Sequence, residues 1–421
     1  MAATARGPWA RALPLLALTG MLIGCTTATT SSPRSTSSST TPDPSAAARA
    51  KAERLAAAYD YNGAIRLLTG MPGAQDQLAE LTRRKQAATA YPDNATISHL
   101  FYHSLIVDPA RAFSSPTARG YDDYMVTIEE FRAQLRDLYD RGFVLVHPER
   151  IAGVDEAGVA AWKRIYLPPG KQPLVLSVDD VNYYEYMESD GFAARLTLNS
   201  RGKVVNDYVA ADGTKRQGRF DVAPIVDDFV AKHPDFSYRG DKGTLGVTGY
   251  NGVLGYRSSM IKYGDTDTTR AEITRATRVA TALKADGWRF ASHSWGHIDF
   301  TKDSVGILAA DSQRWRTEVE PIVGPTREFI FPFGADISTA APYTDANAKY
   351  RLLHGQYGFD YFFPINSATP SWMQLSAGSL RQARINVDGL SMGRALANKR
   401  HVLWQFFDVA KSIDARRPSV K

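Results

Sequence analysis

The feature that most constrains this chain is the alternation that begins after Pro92, where short apolar runs take turns with stretches of helical spacing. Residues 97–106, 143–146, 174–178, 243–248, 288–292, 329–331 and 361–363 read as strands, and residues 128–139, 221–231, 271–285 and 346–354 as helices. Strand and helix in regular succession favour an α/β fold in which a parallel sheet or barrel is covered by helices. With 421 residues, 44% of them hydrophobic, the chain can bury such a core with an accessory segment besides. Residues 194–218, with Ser200-Arg201-Gly202 between two β-rich runs, read as a hairpin insertion. Residues 46–92 read as a helical hairpin, broken at Met71-Pro72-Gly73 and too small to bury its own apolar face, so it is expected to pack on the main domain at 93–421.

The N-terminus has the layout of an export signal. Arg6 and Arg11 precede an apolar stretch at 13–23 that is too short for a comfortable membrane span, and small residues lead to Cys25. Leu22-Ile23-Gly24-Cys25 resembles the bacterial lipobox, which makes Cys25, the lone cysteine, the expected lipidation site and residues 1–25 a lipoprotein signal peptide. One cysteine excludes both an internal disulfide and a thiolate zinc site. Residues 26–45 are rich in Ser, Thr and Pro and read as a tether that would let a membrane-anchored domain reach into the cell wall. The net charge of +6 becomes +4 without Arg6 and Arg11, since 48 basic residues then face 44 acidic ones. That mild excess, with no zinc-finger spacing or RNA-binding aromatic signature, argues against nucleic acid as a partner.

Two clusters carry chemistry. Asp179-Asp180 follows the apolar run 174–178, and polar groups at the C-terminal end of a parallel strand face the ligand crevice. Adjacent carboxylates resist joint ionisation without a cation, so one can ligate a metal while the other acts as a base; such a pair also serves as a turn or helix cap. His293-Ser294-Trp295-Gly296-His297 follows a second strand-like run, and two imidazoles four apart on a helical turn can share one divalent ion. Joined to one Asp they form a two-His, one-carboxylate set with open positions for water and substrate.

These motifs resemble those of the polysaccharide deacetylases of carbohydrate esterase family four, the NodB-homology group. Ser177-Val178-Asp179-Asp180-Val181 stands for the family's Thr-Phe-Asp-Asp-Gly, and His293, Ser294 and His297 match its His-Ser/Thr-x-x-His/Asp. The resemblance implies a distorted (β/α) barrel. It also implies Asp179 as the base that activates water, Asp180, His293 and His297 as ligands of a divalent ion, zinc foremost, and Ser294 as a buttress of the loop. The substrate it implies is an acetylated polysaccharide. The family's Arg-x-Pro-Phe/Tyr-Gly appears as Ile330-Phe331-Pro332-Phe333-Gly334. Pro332 and Phe333 are thus expected at the substrate, with a backbone N–H near Phe333 for the oxyanion, but the base lacks its usual arginine, leaving Arg239, Arg257 or Arg384 to replace it. The late Leu-x-His is missing from residues 383–389, and His103 in Phe101-Tyr102-His103 is the candidate acid. Asn182, Tyr183 and Tyr184 are candidates for a sugar subsite, while His354 and His401 read as packing or surface residues. The competing readings are a non-catalytic glycan-binding lipoprotein and an amidohydrolase of small substrates.

Overall fold

The computed structural model describes residues 44–376 and 378–420. The expected signal segment, Cys25 and all but the end of the tether therefore lie outside the described residues.

The N-terminal segment holds three helices, α1 (Pro44–Ala57), α2 (Tyr61–Leu68) and α3 (Gln75–Ala87), where the periodicity suggested two. The extra break follows Ala58: Tyr59 takes a left-handed backbone, and the Asp60 carboxylate accepts the Gly63 N–H at 3.0 Å and starts a new helix. Ala52, Ala56, Ala64, Leu68 and Leu81 are fully buried and share one core with Ile97, Val144 and Ile151 of the main body.

Ten strands build the main sheet: β1 (Ser98–Tyr102), β2 (Phe143–Leu145), β3 (Gln172–Val178), β4 (Thr244–Val247), β5 (Arg289–Ser292), β6 (Glu328–Ile330), β7 (Tyr361–Phe363), β8 (Met373–Leu375), β9 (Leu380–Gln382) and β10 (Ile385–Asn386). Their order is β8-β9-β7-β6-β5-β4-β3-β1-β10, with β2 also paired to β3, and every pair except β8–β9 is parallel. β3 is buried from Pro173 to Val178 on both faces, as a parallel strand covered on both sides must be. The sheet curls until its edges meet on one stretch of chain: Leu380 and Arg381 pair with β7, while Ile385 and Asn386 pair with β1. This curl is consistent with the expected distorted barrel.

Helices α4 (Ile128–Asp140), α5 (Val222–Lys232), α6 (Asp267–Ala285), α7 (Val305–Glu318) and α8 (Gly389–Ala397) follow β1, β3, β4, β5 and β10. A full capping box starts α4, with Thr127 Oγ1 accepting the Glu130 N–H and Glu130 accepting the Thr127 N–H. Two expectations change. Residues 194–218 form a three-stranded antiparallel meander, Arg195–Leu198, Val204–Val209 and Lys215–Gly218, because a second turn closes where Ala210 N–H donates to the Thr214 carbonyl. The helix expected at 346–354 is one α-turn, Ala348–Tyr350, running into a π-helical stretch, Arg351–Gln356.

Candidate active site

The two motifs leave the C-terminal ends of β3 and β5. Asp179 N–H donates to the Tyr102 carbonyl at 2.8 Å and Val181 N–H to that of Gly246 at 3.1 Å, so the turn after β3 is sewn to β1 and β4. Asn182 completes the seam: its amide donates to the Thr248 carbonyl at 2.8 Å and accepts the Thr248 N–H at 3.0 Å. The turn costs backbone strain. Asp180, Tyr183, Ser294, His297 and Phe333 all have φ between +50° and +64°, a conformation side-chain-bearing residues rarely keep without tertiary support.

His293 is 1% exposed and its Nδ1 lies 2.9 Å from the Ile330 carbonyl. A carbonyl can only accept, so Nδ1 carries the proton and Nε2 is left as a lone-pair donor. That Nε2 sits 3.9 Å from Asp179 Oδ2 and 3.9 Å from Asp180 Oδ1, and His297 Nε2 sits 3.8 Å from Asp180 Oδ2. One ligand atom from each of Asp180, His293 and His297 falls within 4.8 Å of the others. An N₂O set with one ring tautomer already fixed suits a divalent first-row cation, and the partial exposure of Asp180 and His297 leaves one side open. Burial holds the His293 imidazole below its ordinary pKa, against the pull of Asp179 and Asp180, which keeps it in the neutral form a ligand needs.

The two histidines do not share a helical turn. Residues 293–297 form an irregular loop, and left-handed Ser294 and His297 bring the rings to 4.9 Å in an edge-to-face arrangement. Ser294 Oγ accepts the Ile298 N–H at 3.2 Å. Asp311, on α7, accepts the N–H groups of Trp295 at 2.8 Å and Gly296 at 2.7 Å. Sequence reasoning missed Asp311, which looks like any polar residue on a helix.

Arg384 settles the question of the missing cation. It is fully buried, its Nη1 donates to Asp179 Oδ1 at 2.6 Å and to Ser177 Oγ at 3.3 Å, and its guanidinium lies 4.1 Å from the centre of the Phe101 ring. Burial by itself would raise the Asp179 carboxyl, but Arg384 foremost, then His293 and, further down, His103, outweigh it and hold the pKa at about 2. The other two arginines are elsewhere: Arg257 binds Glu188 at 2.8 Å, and Arg239 is exposed just before β4, at the opposite end of the strands. Ile330 keeps a role through its carbonyl alone.

His103 directly follows β1, is partly exposed, stacks edge-on to Phe101 at 5.8 Å and has no hydrogen bond among the described residues. Pro332 is buried, while Phe333 is 67% exposed with its ring 4.4 Å from that of His297. Tyr183 does not line the opening as expected. It is 3% exposed within the core, and Asn206 donates to its hydroxyl at 3.1 Å, because its left-handed backbone turns the ring inward under the meander. Asn182 is likewise internal. Tyr184 is buried too, but its O–H donates to Asp180 Oδ1 and contacts Thr248 Oγ1 at 2.9 Å. Its ring is stacked with Tyr186 at 5.5 Å and Tyr250 at 5.3 Å, forming an aromatic wall beside the carboxylate whose outer member, Tyr186, is 57% exposed. His354 bonds the Phe359 carbonyl at 3.0 Å and His401 caps a short 3₁₀ turn, both structural uses.

No protein-family model and no curated protein matches the chain. Among solved structures it is similar to a Streptococcus pyogenes deacetylase, PplD, in complex with acetate, with 14% identity and a TM-score of 0.38 over 74% of this chain and 98% of that one.

Proposed function

We propose that this chain is a divalent-metal-dependent hydrolase that removes acetyl groups from N- or O-acetylated cell-envelope polysaccharide. The observation that carries the reading is the meeting of Asp180, His293 and His297 beside an Asp179 held ionised by Arg384. A divalent cation on this set, zinc by its donor chemistry, supplies Lewis acidity when bound, lowering the pKa of water and polarising a carbonyl, as a base weakened to a pKa of about 2 requires. Asp179 divides its work between two oxygens: Oδ1 is held by Arg384, and Oδ2, facing His293, takes the proton of the attacking water. His103 hands a proton to the departing amine or hydroxyl. The backbone N–H of Phe333 supports the oxyanion, Pro332 and Phe333 wall the acetyl methyl, and Tyr184 aims the Asp180 carboxylate. Outside the cell the enzyme is held by a lipid on Cys25 and reaches the wall on the segment at 26–45.

The test is acetate release from acetylated chitin oligomers and acetylated xylan by the zinc-loaded protein. Asp179→Asn is expected to lower the rate about 10²–10⁴-fold while zinc binding persists. Equal rates for wild type and this variant sink the proposal, and zinc binding with no acetate release by wild type favours the non-catalytic glycan-binding reading.

A further inference from the structure

At the end of the barrel away from Asp179, where the three N-terminal helices meet the segments that enter β3 and β4, lies a cavity of about 470 Å³. This is within the roughly 300–1,000 Å³ typical of small-molecule sites. Tyr59, Tyr61 and Tyr238 form its inner wall at 4–6% exposure, Tyr166 stands at its mouth at 43%, and Lys85 and Arg239 flank it. Among the described residues no carboxylate lines it. Neither Lys85 nor Arg239 has an ion pair or a side-chain hydrogen bond among the described residues, whereas the buried arginines Arg381, Arg384 and Arg417 are paired. The Arg239 guanidinium instead lies 5.3 Å from the centre of the Tyr238 ring. The walls are held under strain: Tyr59 (φ 65°) and Arg239 (φ 58°) are both left-handed, and Arg239 N–H donates to the Ala58 carbonyl at 2.7 Å, locking the helical layer to the barrel. A second cavity of about 380 Å³ lies behind Tyr59 and Tyr61 and differs in charge, since the Lys171–Asp235 ion pair at 3.0 Å lines it.

We infer that this cavity is a second, non-catalytic carbohydrate site that binds a pyranose carrying an acid group. The Tyr59 and Tyr238 rings stack on each other at 6.1 Å and back the cavity, so the exposed Tyr166 ring is the one that suits the C–H face of a sugar, while the Arg239 guanidinium and the Lys85 ammonium, neither of them ion-paired, suit a carboxylate or phosphate on it. The site would hold an anionic glycan at one end of the barrel while the catalytic end works.

Calorimetric titration of the full chain with hexagalacturonate, which carries no acetyl group, tests this directly, with cellohexaose and inorganic phosphate as comparisons. Saturable binding of hexagalacturonate is expected, with cellohexaose and phosphate each at least about tenfold weaker. The double variant Lys85→Gln/Arg239→Gln should lose about tenfold and Tyr166→Ala a few-fold, both at exposed positions that leave thermal unfolding unchanged. Asp179→Asn should bind as wild type does, which separates this site from the proposed catalytic one. Absence of binding, phosphate binding as tight as the hexamer, or indifference to all three substitutions overturns the inference.

Discussion

Asp179 and Glu328 are buried to the same degree, 3% and 2% exposed, at opposite ends of the same curled sheet, and they are driven in opposite directions. Asp179, just past the C-terminal end of β3, is held at about 2 by Arg384. Glu328, the first residue of β6, receives one side-chain hydrogen bond, from Thr244 Oγ1 at 2.6 Å, and burial pushes it up to about 8. A buried carboxyl met by a guanidinium keeps its charge, and one met by a single hydroxyl keeps its proton near neutral pH. The contrast belongs to the two residues and not to the two ends, since Asp241, 3% exposed just before β4, is met by Arg150 at 2.9 and 3.0 Å.

The sharpest way to break this contrast is Arg384→Leu, which turns Asp179 into a second Glu328. Leaving one member of a buried pair alone is expected to cost about 3–5 kcal/mol in urea unfolding near pH 7, and the loss should shrink as pH falls and Asp179 takes up a proton. Asp179→Asn/Arg384→Leu should recover most of that loss, since neither residue is then a lone buried charge. A loss below about 1 kcal/mol for the single variant would mean that the guanidinium does not carry the difference.

Glu328→Gln attacks the other half. The folded pKa of Glu328 lies above its unfolded value, so its contribution is complete below the ordinary carboxyl range and is lost as pH rises toward about 8. Wild type should therefore lose stability at about 1.4 kcal/mol per pH unit between roughly pH 5.5 and 7.5, about 3 kcal/mol in all, and Glu328→Gln should remove that slope. Parallel pH profiles for the two proteins would show that Glu328 is ionised in the fold. The smallest effect concerns the cation. Zinc at 100 times its Kd should stabilise the wild type by about 2.7 kcal/mol, read as a rise in Tm that chelation reverses and His297→Ala abolishes. No shift with wild type would leave the Asp180, His293 and His297 cluster as a polar network without a metal.

Much of this was legible in order along the chain. The apolar runs before Asp179-Asp180 and His293 are strands β3 and β5, and the residues directly after them arrive at one end of one sheet, because parallel strands bring all their C-terminal ends together. The pairing of Asp180 with His293 and His297 follows from that rule. Local periodicity was less informative where backbone turns decide direction: left-handed Tyr183 points into the core, and the His293 and His297 rings meet through an irregular loop.

What the amino-acid order determined by itself was the alternation of strand and helix and the identity of the carboxylate and imidazole clusters, since both are written within a few consecutive residues. Which arginine would meet Asp179 was decided only by tertiary structure. Arg384 lies 205 residues away and reaches Asp179 because the stretch from Leu380 to Asn386 leaves β7 and joins β1, closing the curl of the sheet over the site. A counter-charge has no period or spacing to betray it; it needs only to arrive within hydrogen-bond reach, and the path of the backbone alone sets that distance.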